Sequence, residues 1–232
     1  MKKILMFQWF DCIDEVRKQE FIDCINHNLN IGFDEVIIFN DKVQPEFFGD
    51  GIKNISSNTR LTYRDYIDLV NDVSNYGSLI VLTNTDIKID TNIFNLAEVM
   101  KPVDFICMSR YEENGVIATS PAFTQDTWAI LSQPVHNSII HQSSIPLGIP
   151  GCENRFSEIL FTVGFRVYNP SLDIKNIHIH RVPSVHKNEN RVFGTILTIP
   201  PCYVEDIKNG FVKEYPRPFY LTAFHDGPIN IG

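Results

Sequence analysis

The sequence predicts an α/β fold in which a central, mostly parallel sheet is flanked by helices. Two observations carry this prediction. Short apolar runs rich in Val, Ile and Phe alternate with stretches of helical periodicity from the N-terminus onward. The chain of 232 residues is also 44% hydrophobic, enough to bury one large core.

Ile4 to Trp9 reads as a buried strand, and Asp11 to Asn30 follows with Ile13, Val16, Phe21, Cys24, Ile25 and Leu29 approximating one helical face. Gly32 ends that helix, and Glu35 to Phe39 forms a second strand closed by the turn residues Asn40 and Asp41. A loop with Pro45 and Gly49 to Gly51 leads to a helix over Tyr63 to Val73, with Thr62 as N-cap and Asp65 in its first turn. After the Gly77 break, Leu79 to Leu82 is a third strand. Asn92 to Met100 is a helix ended by Pro102, and Val103 to Met108 is a fourth strand. The alternation fails from Tyr111 to Pro150, where Thr127 to Leu131 is the one strand-like segment; such irregular stretches carry binding sites in α/β folds. Cys152 to Val163 is again helical, Gly164 closes it, and Phe165 to Tyr168 is a strand. The expected organisation is one domain over residues 1–181. Residues 182–232, with a strand-like Val192 to Ile199, form a C-terminal extension packing on or extending it.

Composition narrows the function. A formal net charge of -8 disfavours a broad nucleic-acid-binding surface, although a local basic groove, and hence a nucleic-acid acceptor, stays open. Five scattered cysteines without a C-x-x-C pair suggest reduced, mostly buried thiols. The apolar run after Met1-Lys2-Lys3 is too short for a signal peptide and no segment is long enough to span a bilayer, so a cytoplasmic protein is expected.

In open α/β sheets ligands bind beyond the carboxyl ends of the strands. The set after the third strand is the sharpest: Asn84 and Asp86, two apart, project to one side of an extended chain. Together they can ligate a hard cation bound to a diphosphate, which needs only one or two protein oxygens. An Asx-turn closing the strand explains the same residues. Arg60, before a helix, is placed to pair with a phosphate of the cofactor or to hold the Tyr63-Arg64-Asp65-Tyr66 turn, and Arg110, after a strand, has similar options. Glu153 begins a helix, where it serves either as a simple first-turn acid or as part of a ligand site.

A set of motifs favours the functional alternative. Phe7-Gln8-Trp9-Phe10, Arg60-Leu61-Thr62-Tyr63, Leu82-Thr83-Asn84-Thr85-Asp86-Ile87, Gln125-Asp126-Thr127-Trp128, Gly148-Ile149-Pro150-Gly151-Cys152-Glu153-Asn154 and His178-Ile179-His180 together resemble small bacterial and viral glycosyltransferases of the GT-A type, over about Lys3 to Arg181. The resemblance implies a single Rossmann-like sheet and a metal-dependent hexosyl- or pentosyltransferase using a nucleoside-diphosphate sugar as donor. Asn84-Thr85-Asp86 stands where the family has Asp-x-Asp, with Asp86 as ligand to Mn²⁺ or Mg²⁺ and to the donor diphosphate. The first position departs from the pattern, since Asn84 offers only a neutral oxygen. The family also implies a late histidine ligand, His178 or His180, and contacts from Gln8, Trp9 and Phe10 to the nucleotide base. Glu153 and Asp126 become the candidates for contact with the acceptor hydroxyl or the donor sugar. The acceptor is a glycan, a lipid-linked group or another hydroxyl. A sugar-nucleotide-binding protein of this fold without turnover is the alternative. A nucleotidyltransferase is disfavoured, because Gln8-Trp9-Phe10-Asp11 is unlike the Gly-rich, Lys/Arg-bearing loop such enzymes carry.

Overall fold

The computed structural model describes residues 1–72, 76–182, 191–192, 194–210 and 217–221. The first half runs β1 (Lys3–Phe10), α1 (Glu15–Leu29), β2 (Glu35–Asp41), β3 (Ile52–Ser57), α2 (Tyr63–Asp72), β4 (Leu79–Thr83), β5 (Ile87–Lys88), a 3₁₀ turn (Thr91–Asn95) leading into α3 (Leu96–Val99), and β6 (Asp104–Ser109). The second half runs β7 (Tyr111–Glu112), β8 (Gln125–Leu131), α4 (Asn137–Gln142), α5 (Cys152–Thr162), β9 (Arg166–Tyr168), β10 (Ile177–His178), β11 (Gly194–Thr198), α6 (Val204–Asn209) and β12 (Arg217–Leu221). Val73, assigned to the second helix by periodicity, Phe193 of the strand-like Val192 to Ile199, and about half of the 182–232 segment lie outside the described residues.

Seven strands form the main sheet in the order β3-β2-β1-β4-β8-β6-β9, with β8 antiparallel to both neighbours and every other pairing parallel. The α/β class with a mostly parallel, helix-flanked sheet is therefore what the chain adopts. Period-2 alternation splits each central strand between two cores. Ile4 and Met6, Ile80 and Leu82, and Trp128 and Ile130 face α2, α4 and α5. Leu5, Phe7 and Trp9, with Leu79, Val81 and Ala129, face α1, α3 and α6. The first core is aromatic: Tyr63 stacks on Phe156 at 4.2 Å between centroids and meets Trp128 edge-on at 5.2 Å. Leu197 of β11 and Ile199 just after it pack into the same core.

Three expectations need correction. The first helix starts later than periodicity suggested, because the Asp14 side chain accepts a hydrogen bond from the Arg17 amide at 3.0 Å and fixes the N-cap there. Ile13 is consequently 98% exposed and Val16 lies on the solvent side, while Phe21, Cys24, Ile25 and Asn28 face inward. Ile52–Ser57 is an edge strand, β3, in a stretch read as loop; its half-exposed, polar composition carries no apolar run. The strand in the irregular region is longer than its apolar run, starts at Gln125 and sits in the middle of the sheet.

Thr62 caps α2 as expected: its backbone N–H donates to Asp65 Oδ2 at 2.8 Å and the Asp65 amide donates to Thr62 Oγ1 at 3.3 Å, a reciprocal capping box. All five cysteines are free and four are buried. No helix among the described residues is long and apolar enough to cross a membrane.

Candidate functional site

The chain builds β1, β2 and β3 toward one edge and then crosses back to place β4 on the other side of β1. The strand order thus reverses between β1 and β4, and a crevice opens beyond the carboxyl ends at such a point. A cleft of about 750 Å³ lies here, lined by Gln8 and Phe10 at the end of β1, Asn84 to Asp86 after β4, Arg110 after β6, Gln125 and Asp126 at the start of β8, Glu153 of α5, and His178 and His180. Because β8 runs antiparallel, its first residues arrive at the edge where the parallel strands end.

One end of the cleft is built by a small sheet, β5-β10-β7, whose register pairs His178 with Ile87 on one side and with Glu112 on the other. The Ile179 amide donates to the Asp86 carbonyl at 2.9 Å, which locks the His178-Ile179-His180 segment beside Asp86. Asn28 of α1 pins this sheet from beneath, donating to Ile87 O at 2.8 Å and accepting from the Ile89 amide at 2.9 Å. His178 Nε2 lies 3.2 Å from Asp86 Oδ2, His178 Nδ1 lies 3.5 Å from Glu112 Oε2, and the two imidazole rings are 4.9 Å apart edge to face. Asp86, His178 and His180 each present a ligand atom, all within 4.8 Å of one another, a spacing that modest side-chain rotation brings onto one divalent ion.

Charge balance at this end is set by Arg17. Its guanidinium pairs with Asp86 and donates to Glu20 and to the Ile179 carbonyl, each of these last two at 2.7 Å. Glu20, buried, accepts from the Arg181 amide at 2.8 Å and so holds the far end of the histidine segment. Burial works to raise the Asp86 carboxyl, but the hydrogen bond and charge of His178 and the charge of Arg17 outweigh it and keep the group below the usual carboxylate value. Burial pushes His178 downward and the Asp86 hydrogen bond and charge lift it above the usual imidazole value. His180 is depressed by burial first and then by the charges of Arg17 and His178, so its ring is held neutral, the form that ligates metals.

Asn84 and Asp86 line the same cleft but serve different partners. Asn84 donates its backbone N–H to Asp126 O at 2.9 Å and its side-chain amide to the Asp126 carboxylate. Arg110 Nη1 donates to the other Asp126 oxygen at 3.0 Å. An acid at position 84 would face Asp126 across this contact, and two carboxylates so close repel. The neutral amide is therefore what the neighbouring Asp126 requires. Thr85, between them, turns inward and donates to the Gln8 carbonyl at 2.6 Å, tying the β4 end to β1.

The opposite end of the cleft is formed by α5 and the turn before it. Gly151 precedes the helix at φ 84°, an arrangement suited to glycine, and supplies no side-chain cap. Glu153 is half-buried in the first turn and accepts from Cys152 Sγ at 3.3 Å. Its carboxyl is pushed up to about 7: burial is the largest cause, its first-turn backbone N–H pulls the other way, and the Asp126 charge adds to the rise. Arg60 and Arg191 line this end and form no ion pair among the described residues.

The nucleotide-base trio divides by strand parity. Gln8 and Phe10 face the cleft, with Gln8 donating to Asp41 at 3.0 Å and accepting from the Leu61 amide at 3.2 Å. Trp9 is corrected: it projects to the opposite side, fully buried with Leu5 and Phe7, and its ring meets Phe47 edge-on at 5.2 Å, so it offers nothing to a ligand in this cleft. The structure also brings in Arg17, Glu112 and Arg191, which sequence reasoning did not single out. Arg17 had a signal: it lies on the inward helical stripe with Phe21, Cys24 and Asn28, a place where a charged side chain calls for a buried partner.

No family model matches the chain, and no curated protein matches it. Among solved structures it is similar to a candidate nucleotide-diphospho-sugar transferase from Desulfovibrio desulfuricans G20, at 8% identity and a TM-score of 0.46, with 72% of this chain and 79% of that one covered.

Proposed function

We propose that the chain is a metal-assisted glycosyltransferase that moves a sugar from a nucleoside-diphosphate sugar to an acceptor hydroxyl. The observation that carries this reading is the convergence of Asp86, His178 and His180 at one end of a cleft that holds a half-buried carboxyl, Glu153, at the other. In this reading Asp86 and the two histidines hold a divalent cation. Two imidazoles beside one carboxylate suit Mn²⁺ better than Mg²⁺, which prefers oxygen donors throughout. When bound, the cation neutralises charge developing on the departing diphosphate. Gln8 and Phe10 face the space left for the donor nucleoside.

The two acids have separable roles. Asp126 accepts hydrogen bonds from Arg110 and Asn84 and fits a positioning role toward the donor sugar. Glu153, with its carboxyl near neutrality, fits the general base. The acceptor oxygen bonds to the anomeric carbon, the bond from that carbon to the phosphate oxygen breaks, and Glu153 takes the hydroxyl proton. Sugar release or transfer from a panel of UDP- and GDP-sugars with Mn²⁺ tests the reading. Wild-type turnover is expected, with a loss of about 100-fold or more in Asp86→Ala, on the order of the loss when a transition-state electrostatic contact is removed. Tight binding of a sugar nucleotide without any turnover would favour a binding protein of the same fold.

A further inference from the structure

The α5 end of the cleft holds Arg191, which the transferase reading leaves without a role, and Arg60, which the sequence places to pair with a phosphate. Arg60 and Arg191 sit on opposite sides of the turn Gly148-Ile149-Pro150-Gly151, and the backbone staples each to it. Leu147 donates its N–H to Leu61 O at 2.9 Å beside Arg60, and Val192 donates its N–H to Pro150 O at 3.0 Å beside Arg191. A Cβ on Gly148, whose φ is +72°, would lie 2.9 Å from Arg60 Nη2, and one on Gly151 would first meet the Val192 carbonyl oxygen at 3.3 Å, with Arg191 Cγ in ordinary contact at 4.0 Å. Arg110 and Arg17, the other two arginines of the cleft, are committed to Asp126 and to Asp86 with Glu20. Arg60 and Arg191 have no carboxylate partner among the described residues, and Arg191 Nε is buried without a hydrogen-bond partner. Two guanidinium forks aimed into one cleft, one of them partly desolvated, offer more donors than a single carboxylate accepts; a phosphate, with three free oxygens, matches them.

We propose that Arg60 and Arg191 form an anion subsite, separate from the Asp86 end, that binds a phosphate group on a small acceptor. The assignment of the anion to the acceptor rests on the transferase reading; the existence of the subsite does not. Glu153 and Arg191 line the same cleft, and the Arg191 charge acts on the Glu153 carboxyl. An acceptor phosphate seated on the arginines therefore leaves its sugar or polyol hydroxyl beside Glu153.

The test titrates the full chain with inorganic phosphate in EDTA, following binding by calorimetry. Wild type is expected to bind, and Arg60→Ala and Arg191→Ala to lose about tenfold or more in affinity, as removal of one charged fork from a phosphate clamp does. Arg64→Ala, at an exposed arginine on α2 paired with Asp68, is expected to bind as wild type does. Arg60→Lys, which keeps the charge and removes the fork, is expected to fall between, and a thermal unfolding curve for each variant separates lost binding from lost fold. Absence of phosphate binding to wild type, or wild-type affinity in both arginine variants, overturns the subsite. A second titration with saturating Mn²⁺ and UDP or GDP assigns the anion: unchanged phosphate affinity supports the acceptor, and mutual exclusion overturns it in favour of the donor diphosphate. If neither nucleotide binds, the transferase reading falls while the EDTA titration still decides the subsite.

Discussion

Single side chains in this cleft are arranged as charge pairs with two exceptions in kind: a carboxyl kept near neutrality and arginines kept without acids. Glu153 gives the sharpest consequence. Its carboxyl sits at about 7 in the folded chain against an ordinary value of 4.5, so the folded state favours the protonated form. Stability from this group is thus fully present below pH 4.5 and is lost as pH rises through 7. A melting-temperature series over that window is expected to fall more steeply in wild type than in Glu153→Gln, while the variant also loses the rise in transfer rate that accompanies deprotonation of a general base. Parallel pH dependences in the two proteins would remove Glu153 from that role. Much at this scale was legible in the sequence: Asp86, His178 and His180 do converge, as do Gln8, Phe10, Asn84, Asp126 and Glu153 on one cleft. Trp9 was not, because a one-residue step along a strand changes faces and the local motif does not say which residue turns inward. Arg191 was not either, since its place depends on a backbone bond to Pro150 that has no signature in a polar, Pro-bearing stretch.

At the scale of elements, the two-residue strands β5, β7 and β10 matter more to the site than their length suggests. They bring residues 86, 112 and 178 together, and a strand of two residues is far below what periodicity detects. Their support is Asn28, a polar residue on the buried face of α1 that satisfies both a carbonyl and an amide of the segment around β5. Asn28→Ala leaves those groups buried without partners and is expected to cost about 1–3 kcal/mol. It would be read as a lower denaturant midpoint at unchanged slope. An unchanged midpoint would mean that β5 is held by its neighbours alone. The long strands and helices were legible from apolar runs and caps, whereas β3 was hidden by its polar, half-exposed edge position. The central place of β8 was hidden because sequence pattern reports burial but not direction, and an antiparallel strand delivers Asp126 from its beginning instead of its end.

For the molecule as a whole, the reversal of strand order at β1 and β4 is what makes a single sheet into a site. It opens the crevice between Gln8 and Asn84, the flanking helices α1 and α5 supply Arg17 and Glu153 from opposite faces, and the chain returns after β9 to add the histidines. The central claim is that this assembly holds a divalent cation at Asp86, His178 and His180 together with a nucleoside diphosphate. Anomalous scattering from crystals grown with Mn²⁺ and UDP or GDP tests it most directly. The account predicts one manganese peak within coordination distance of Asp86 and of His178 or His180, bridged to the diphosphate, with the Arg17 guanidinium drawn away from Asp86. A nucleotide bound with manganese elsewhere in the cleft, or Arg17 still paired to Asp86 beside an ordered nucleotide, would contradict it.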